Sequence, residues 1–402
     1  MTMVSAPVHG PLEGVRVLDL SRILAGPTCT QLLGDYGADI LKIERPGAGD
    51  DTRQWGPPYV TGRDGGPTGE SAYYLAANRN KRSVAVDMAT DEGAQVIRDL
   101  ARHSDVLVEN FKVGGLKKYG LDYESLSRIN PRLVYCSITG FGQTGPNAHL
   151  PGYDIMAQGY GGIMSLTGSP EGEPVKVGVG IADVMCGMYA CTAILAALHH
   201  QKRTGTGQHI DIGLVDTQIA WLVNEGTNYL TSGKAPERRG NQHPNIAPYQ
   251  AFEAKDGHLI VAVGNDSQFG RFCNILDHPA LAQDERFATN MARLAHRDTL
   301  IETLGPLIRQ RTKAALLAAM QAQGVPGGPI NTLPEVFASD QAEARGMKVS
   351  VPHSQSATGT VDLIGNPVKF SETPVTYRMG PPVCGEHTAE VLGWLRGQPQ
   401  PG

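Results

Sequence analysis

Short apolar runs alternate with stretches of helical periodicity through the first half of the chain. VRVLDL (15–20), ADILKIE (38–44), SVAVD (83–87), DVLVEN (105–110) and LVYCSI (133–138) read as strands. Between them PTCTQLLGDYG (27–37) reads as a helix ending at Gly37, and helical patterns recur at 91–103 and 123–130. Strands that are apolar along their whole length are covered on both faces. Alternating with helices, they predict a doubly wound α/β domain around a parallel sheet.

The pattern changes farther along. Gly- and Pro-rich loops occupy 140–152, and a helix apolar almost all round runs from about Asp183 to Arg203. A helix of that kind is expected to be buried. QHIDIGLVD supplies one more strand and leads into a helix near 215–231. After 232 comes a polar, Pro-broken loop, GKAPERRGNQHPNIAP. QAFEA and HLIVAVG, joined by KDG, then read as a β-hairpin, followed by helical patterns at 267–277, 297–311 and 312–323. The expected organisation is a discontinuous large domain (1–231 and 331–402) with a smaller α+β domain inserted at 232–330.

Composition narrows the class. The 402 residues are 41% hydrophobic and 19% charged, with 49 glycines and 27 prolines, which fits a Gly-rich globular chain rather than a disordered one. The start, MTMVSAPVHGPLEG, lacks the basic and apolar segments of a secretory signal. Without an uninterrupted apolar run of about 18 residues, no membrane partner is expected. A net charge of −5 argues against a nucleic-acid partner, but leaves room for a small polyanion if cations gather locally. Six irregularly spaced cysteines without a CxxC read as free thiols in a cytoplasmic setting.

Several motifs have two readings. Gly140, Gly142 and Gly145 make a GxGxxG after a strand, but Pro146 and a polar loop follow instead of a helix, so a tight turn fits better than a dinucleotide site. The twelve histidines show no metal spacing, and no metal is expected. Asp183 opens the long apolar helix. Spacing alone favours an N-cap, while a helix-terminal carboxylate beside Gly178 and Gly180 also suits a nucleophile. Arg79, Lys81 and Arg82 form one basic cluster, and Lys112, Lys117 and Lys118 another. Both read first as solvated faces, but the second follows a strand end, where open α/β sheets bind ligands.

These segments resemble the class III (CaiB/BaiF-type) coenzyme A transferases, a family that also includes α-methylacyl-CoA racemases. The resemblance runs from about Leu12 to Leu395. It rests on LEGVRVLDLSRILAGPTCTQLLGDYGADILKIERPGAGDDTR, NRNKRSVAVDM, DVLVENF, PGYDIMAQGYGGIMSLTG, GIADVMCGMYACTAILAAL, RTGTGQHIDIGLVD and GEHT, in that order. It implies that Asp183 is the catalytic nucleophile. Arg45, Val86, Asn110, Phe111, Lys112 and Lys118 would lie along the CoA site, with residues from Val86 to Ala89 beside the adenine. Tyr153 and Asp154 would stand near the reacting thioester. The large domain would be Rossmann-like, and the assembly an interlocked homodimer of threaded rings. Coenzyme A would enter as a substrate moiety, with no tightly bound cofactor.

Two departures refine the expectation. Racemases carry a histidine where this chain has Tyr153, and tyrosine, with a reference pKa near ~10, is a poor base at neutral pH. A racemase on the same scaffold is therefore the alternative. The segment ERRGNQHPN (237–245) replaces the long glycine loop of formyl-CoA:oxalate transferases. The chain looks more like the branch that moves CoA from succinyl-CoA to dicarboxylates such as glutarate or hydroxymethylglutarate, through an aspartyl anhydride and an aspartyl-CoA thioester. Arg238 and Arg239 are candidates for binding the distal carboxylate, with a surface-loop role equally open.

Overall fold

A computed structural model describes residues 10–397. They fall into two compact units. The larger takes in the residues up to Ile163, Lys176–Gly233 and those from Asp340 onward, and the smaller comprises Met164–Val175 and Lys234–Ser339.

In the larger unit the strands run β1 (Arg16–Asp19), β2 (Asp39–Glu44), β3 (Tyr59–Thr61), β4 (Pro67–Ser71), β5 (Lys81–Ala85), β6 (Val106–Glu109), β7 (Val134–Thr139) and β8 (His209–Gly213). Six of them form one parallel sheet in the order β5-β2-β1-β6-β7-β8. The chain moves outward from β1 through β2 to β5, then returns to β6 on the other side. The order therefore reverses between β1 and β6, and the crevice at such a reversal is where open α/β sheets take ligands. β3 and β4 form a separate hairpin.

Both sheet faces are covered, as continuous apolar strands require. Val17, Val106, Val108 and Cys136 pack with Cys29 and Leu33 of the Ala25–Asp35 helix and with Ala190 and Ile194 of the Ile181–Thr204 helix. Their strand neighbours Leu18, Leu107 and Tyr135 point the other way, onto Ile97, Leu100, Leu126 and Val391. Burying each such side chain contributes about 1.5–3 kcal/mol. The first two helices cross at Gly187, where a Cβ would stand 2.5 Å from the Ala25 carbonyl oxygen, so only glycine permits that approach.

Three expectations need correction. The long helix begins at Ile181, with Gly180 as its N-cap, so Asp183 lies inside its first turn and is not the cap. Nor is the helix buried all round: Met188 and Tyr189 are exposed while Cys186, Ala190 and Ile194 are buried. By length and composition alone it is apolar enough to cross a bilayer, yet its inner face packs on the sheet. Finally, Arg79, Lys81 and Arg82 are not a solvated face. Each is buried against a carboxylate, of Asp35, Asp19 and Asp39 respectively. A buried cation persists only when so paired, and the sequence pattern did not show the partners.

The expected helix near 215–231 is two, Leu214–Ala220 and Val223–Ser232, broken where Val223 takes φ 43°. In the smaller unit, Tyr249–Ala254 and Gly257–Ala262 form the expected hairpin, and Gly327–Pro329 extends it to three antiparallel strands. Phe252, Leu259, Phe269, Phe272, Leu300, Leu304 and Leu316 make its core.

Candidate active site

The carboxyl ends of β1, β2, β5, β6 and β7 open onto one cavity of about 630 Å³. At the reversal point Arg22 and Asn110 lock the two inner strand ends together. Arg22 N–H donates to Asn110 Oδ1 at 2.9 Å, and Asn110 Nδ2 donates to the Arg22 carbonyl at 2.7 Å. The next residue, Ile23, holds a left-handed φ of 72°, which strains a β-branched side chain by about 1–3 kcal/mol. Its N–H is shared between both oxygens of Asp50, at 3.3 Å each. Asp50 is itself anchored by Lys42 at 2.8 Å; burial would raise its pKa, but Lys42 and Thr52 hold it down at about 2. A permanent buried anion thus fixes the strained turn on the cavity wall.

Of the residues singled out in the sequence, Arg45, Val86, Asn110, Phe111, Lys112, Lys118, Tyr153 and Asp183 all line this cavity. Among the described residues Arg45, Lys112 and Lys118 form no ion pair, so their charge is free for a ligand. Lys118 Nζ stands 4.6 Å from the Tyr119 ring centre. Gly140 and Gly152 also line the cavity. A Cβ on Gly140 would stand 2.5 Å from the Gly152 Cα, so the end of β7 and the segment leading to Tyr153 touch backbone to backbone. Gly142 and Gly145 have left-handed φ values, as a tight turn requires, and no helix follows them.

Asp183 projects from the first turn of the Ile181–Thr204 helix. Among the described residues its carboxyl accepts no hydrogen bond. Burial, aided by the charge of Asp154, raises its pKa from the ordinary carboxylate range to about 7. Asp154 is placed differently from Tyr153 and is not on the cavity wall. Its Oδ1 accepts the Ala182 N–H at 2.8 Å and the Asp183 N–H at 3.5 Å, and its Oδ2 accepts from Gln158 at 2.7 Å. Gln158 in turn accepts the Val177 N–H at 2.8 Å. Asp154 therefore satisfies the helix terminus from outside, which leaves the Asp183 carboxyl unengaged.

Arg238 and Arg239 belong to the smaller unit. Arg238 donates to the carbonyls of Ser169 and Gly172 at 3.2 and 2.7 Å, contacts that hold its plane without neutralising its charge. Burial lowers the pKa of Arg297, and the charge of nearby Arg239 lowers it further. Sequence reading missed Arg297 because it sits more than 50 residues from its neighbours. It also missed Trp55 and Tyr73, whose rings meet edge-on at 5.1 Å. Burial raises the Tyr73 pKa, with contributions from Asp183, Asp154 and Asp50, so its hydroxyl senses the Asp183 carboxylate. Two aromatic residues flanking a Gly/Pro-rich loop were the available signal. Among the described residues no group of three or more His, Cys, Asp or Glu side chains is arranged to hold a metal ion.

Comparison with known proteins accounts for this arrangement. The chain is 51% identical over 386 residues to a succinate–glutarate CoA-transferase of Agrobacterium fabrum, covering 96% of each chain. It is 43% identical to the succinyl-CoA:glutarate CoA-transferase of Homo sapiens, over 95% of this chain and 85% of that one. The crystal structure of a CAIB/BAIF family protein from Brucella suis superposes with a TM-score of 0.87 at 50% identity, covering 96% of this chain and all of that one. Residues 12–388 match the family described as CoA-transferase family III. A parallel sheet open at its reversal point, free cations beside it and an unengaged aspartate at a helix terminus are thus the parts of an enzyme, and the chain belongs to CoA-transferase family III.

Proposed function

We propose that the enzyme moves CoA from succinyl-CoA to a dicarboxylic acid, with Asp183 as the nucleophile. The carrying observation is the freedom of the Asp183 carboxyl on the cavity wall, secured by Asp154 acting as cap in its place. The Asp183 carboxylate attacks the thioester carbonyl and expels CoA thiolate, giving an acyl–aspartyl anhydride. The thiolate then attacks the aspartyl carbonyl, releasing the first acid and forming an aspartyl-CoA thioester. The acceptor carboxylate attacks that thioester, and the thiolate returns to the new acyl carbonyl, regenerating Asp183. A raised pKa of about 7 makes Asp183 a stronger nucleophile than an ordinary carboxylate, while leaving it about half ionised at neutrality and ionised above it.

In this reading Arg45, Lys112 and Lys118 take the phosphates of CoA, Val86 borders the adenine, and Asn110 and Phe111 shape the channel between them. Tyr153 stands beside the thioester. Arg238 and Arg239 bind the distal carboxylate of the acid, a role that the positive field around Arg297 favours. The names of the relatives support succinyl and glutaryl groups as the substrates.

We also propose a homodimer, interlocked as in the resembling family. Exposed Ile155, Met156, Tyr160, Tyr189, Val223 and Leu230 give the larger unit an apolar surface that a second copy would cover. Free cysteines at all six positions suit a cytoplasmic setting. The function is tested by incubating the enzyme with succinyl-CoA and a panel of mono- and dicarboxylates, with products read by mass spectrometry. Glutaryl-CoA or a related dicarboxyl-CoA is the expected product, and transfer to monocarboxylates alone would overturn the substrate assignment.

A further inference from the structure

Glu109 ends β6 and is buried. Among the described residues it has no ion pair. Its Oε2 accepts the Phe111 N–H at 2.7 Å, and Ser137, its register partner on β7, stands beside it. Ser137 Oγ lies 2.9 Å from His209 Nε2 on β8, and the His209 ring stacks on Tyr123 at 5.0 Å. Glu109, Ser137 and His209 therefore form a line across three adjacent strands, with Ser137 hydrogen-bonded to His209.

This line borders a second cavity of about 260 Å³, which shares Lys112, Val113 and Gly115 with the first. The loop after β6 is the wall between them. It presents Asn110, Phe111 and Lys112 to the larger cavity, and its first turn is tied to the sheet through the Glu109 carboxylate.

We propose that Glu109 is a positioning residue for acyl-CoA: its carboxylate, flanked by Ser137 and His209, holds the Asn110–Lys112 turn in the shape that binds CoA. This rests on the reading of the larger cavity as the CoA site. The carboxylate is the better acceptor for the Phe111 N–H, because an ionised partner strengthens a hydrogen bond. Burial raises the Glu109 pKa to about 7, although Ser137 and the Phe111 N–H both lower it, so the turn is held more firmly above neutrality than below. The groups around Glu109 are Tyr135 and Cys136 on β7, His209 and Asp211 on β8, Lys112 and Lys117 on the loop, and Asp122, Tyr123 and Glu124 beyond it. On this face β1 contributes the apolar Leu18 and Leu20.

The test compares Glu109→Gln with the unaltered enzyme across pH 5.5–8.5, measuring KM for succinyl-CoA, KM for the acceptor acid and kcat. Glutamine keeps an acceptor for the Phe111 N–H but not the charge. The expected result is a KM for succinyl-CoA raised about three- to tenfold at pH 8, with the ratio of variant to unaltered enzyme falling toward one below pH 6. Taking the ratio cancels the titration of CoA's own phosphate. The other two parameters stay unchanged. Ser137→Ala, which removes a neighbouring hydroxyl that favours the anion, shifts the pH midpoint of the KM profile upward. A ratio that stays at one throughout, or a loss confined to kcat, overturns the proposal. If the unaltered enzyme shows no saturable succinyl-CoA binding, the CoA reading itself fails. If Glu109→Gln folds poorly, the Ser137→Ala midpoint decides: an unshifted midpoint is again contrary.

Discussion

Asp154 accepts the Ala182 N–H at 2.8 Å, and its charge faces a second carboxylate, Asp183, one residue farther into the same helix. One acid does the capping that the helix terminus demands, and the other keeps its carboxyl unengaged on the cavity wall. The arrangement also places two like charges together, at a cost to stability that follows from their titration.

The first consequence concerns stability. Asp183 has a folded pKa of about 7 against 3.8 for an ordinary aspartate, so between about pH 4 and 7 the folded enzyme binds its proton more tightly than the unfolded chain does. Stability from this site is lost as pH rises through that window, and the full penalty persists above pH 7. Asp183→Asn, which has no charge to bury, is expected to be more stable than the unaltered enzyme at pH 8 by about 2–4 kcal/mol. The difference should vanish near pH 4. Chemical denaturation at both pH values measures it, and transfer activity should be lost in the same variant.

The second concerns rate. Asp183 as the proposed nucleophile must be ionised, so kcat/KM should rise with pH to a plateau above about 7. Asp154→Asn removes the neighbouring charge that helps raise the Asp183 pKa, so the midpoint of the profile should move to lower pH. Asparagine retains an oxygen to accept the Ala182 N–H, so the helix start should remain capped. A pH–rate profile of the variant that overlays the original would exclude the coupling.

A third expectation follows from the cations at the strand ends. Among the described residues Lys112 and Lys118 lie on the cavity wall without ion pairs, so replacing either with glutamine should raise KM for acyl-CoA about five- to fiftyfold. The KM of the acceptor acid should change little. The effect should shrink at high salt, because exposed charges are screened. Initial rates at varied ionic strength provide the measurement.

For the acceptor, Arg238→Gln and Arg239→Gln should raise KM for a dicarboxylate, and for succinyl-CoA, whose acyl group also carries a distal carboxylate, while leaving KM for a monocarboxylate nearly unchanged. Equal effects on mono- and dicarboxylates would remove both arginines from distal-carboxylate recognition.

Much of this organisation was legible in the residues. VRVLDL, ADILKIE, DVLVEN and LVYCSI announced buried parallel strands because their apolar character runs unbroken, and the sheet forms where they stand. The strand-end cations could be placed by the same logic. Long-range pairing could not. Arg79, Lys81 and Arg82 looked solvated because Asp35, Asp19 and Asp39 are distant in sequence. The helix start was misplaced at Asp183 because its cap, Asp154, comes from another segment 28 residues earlier. Glu109 lies inside an apolar run, and only its bond to the Phe111 N–H and its place beside Ser137 mark it out.

The central claim is that Asp183 carries the acyl group covalently. The most direct measurement incubates the enzyme with succinyl-CoA and hydroxylamine, without an acceptor acid, then locates the modified residue by peptide mass spectrometry. Acyl-CoA-dependent inactivation with a hydroxamate on Asp183 is the expected result. An unmodified Asp183 in an enzyme that still transfers CoA, or modification at any other carboxylate, would contradict it.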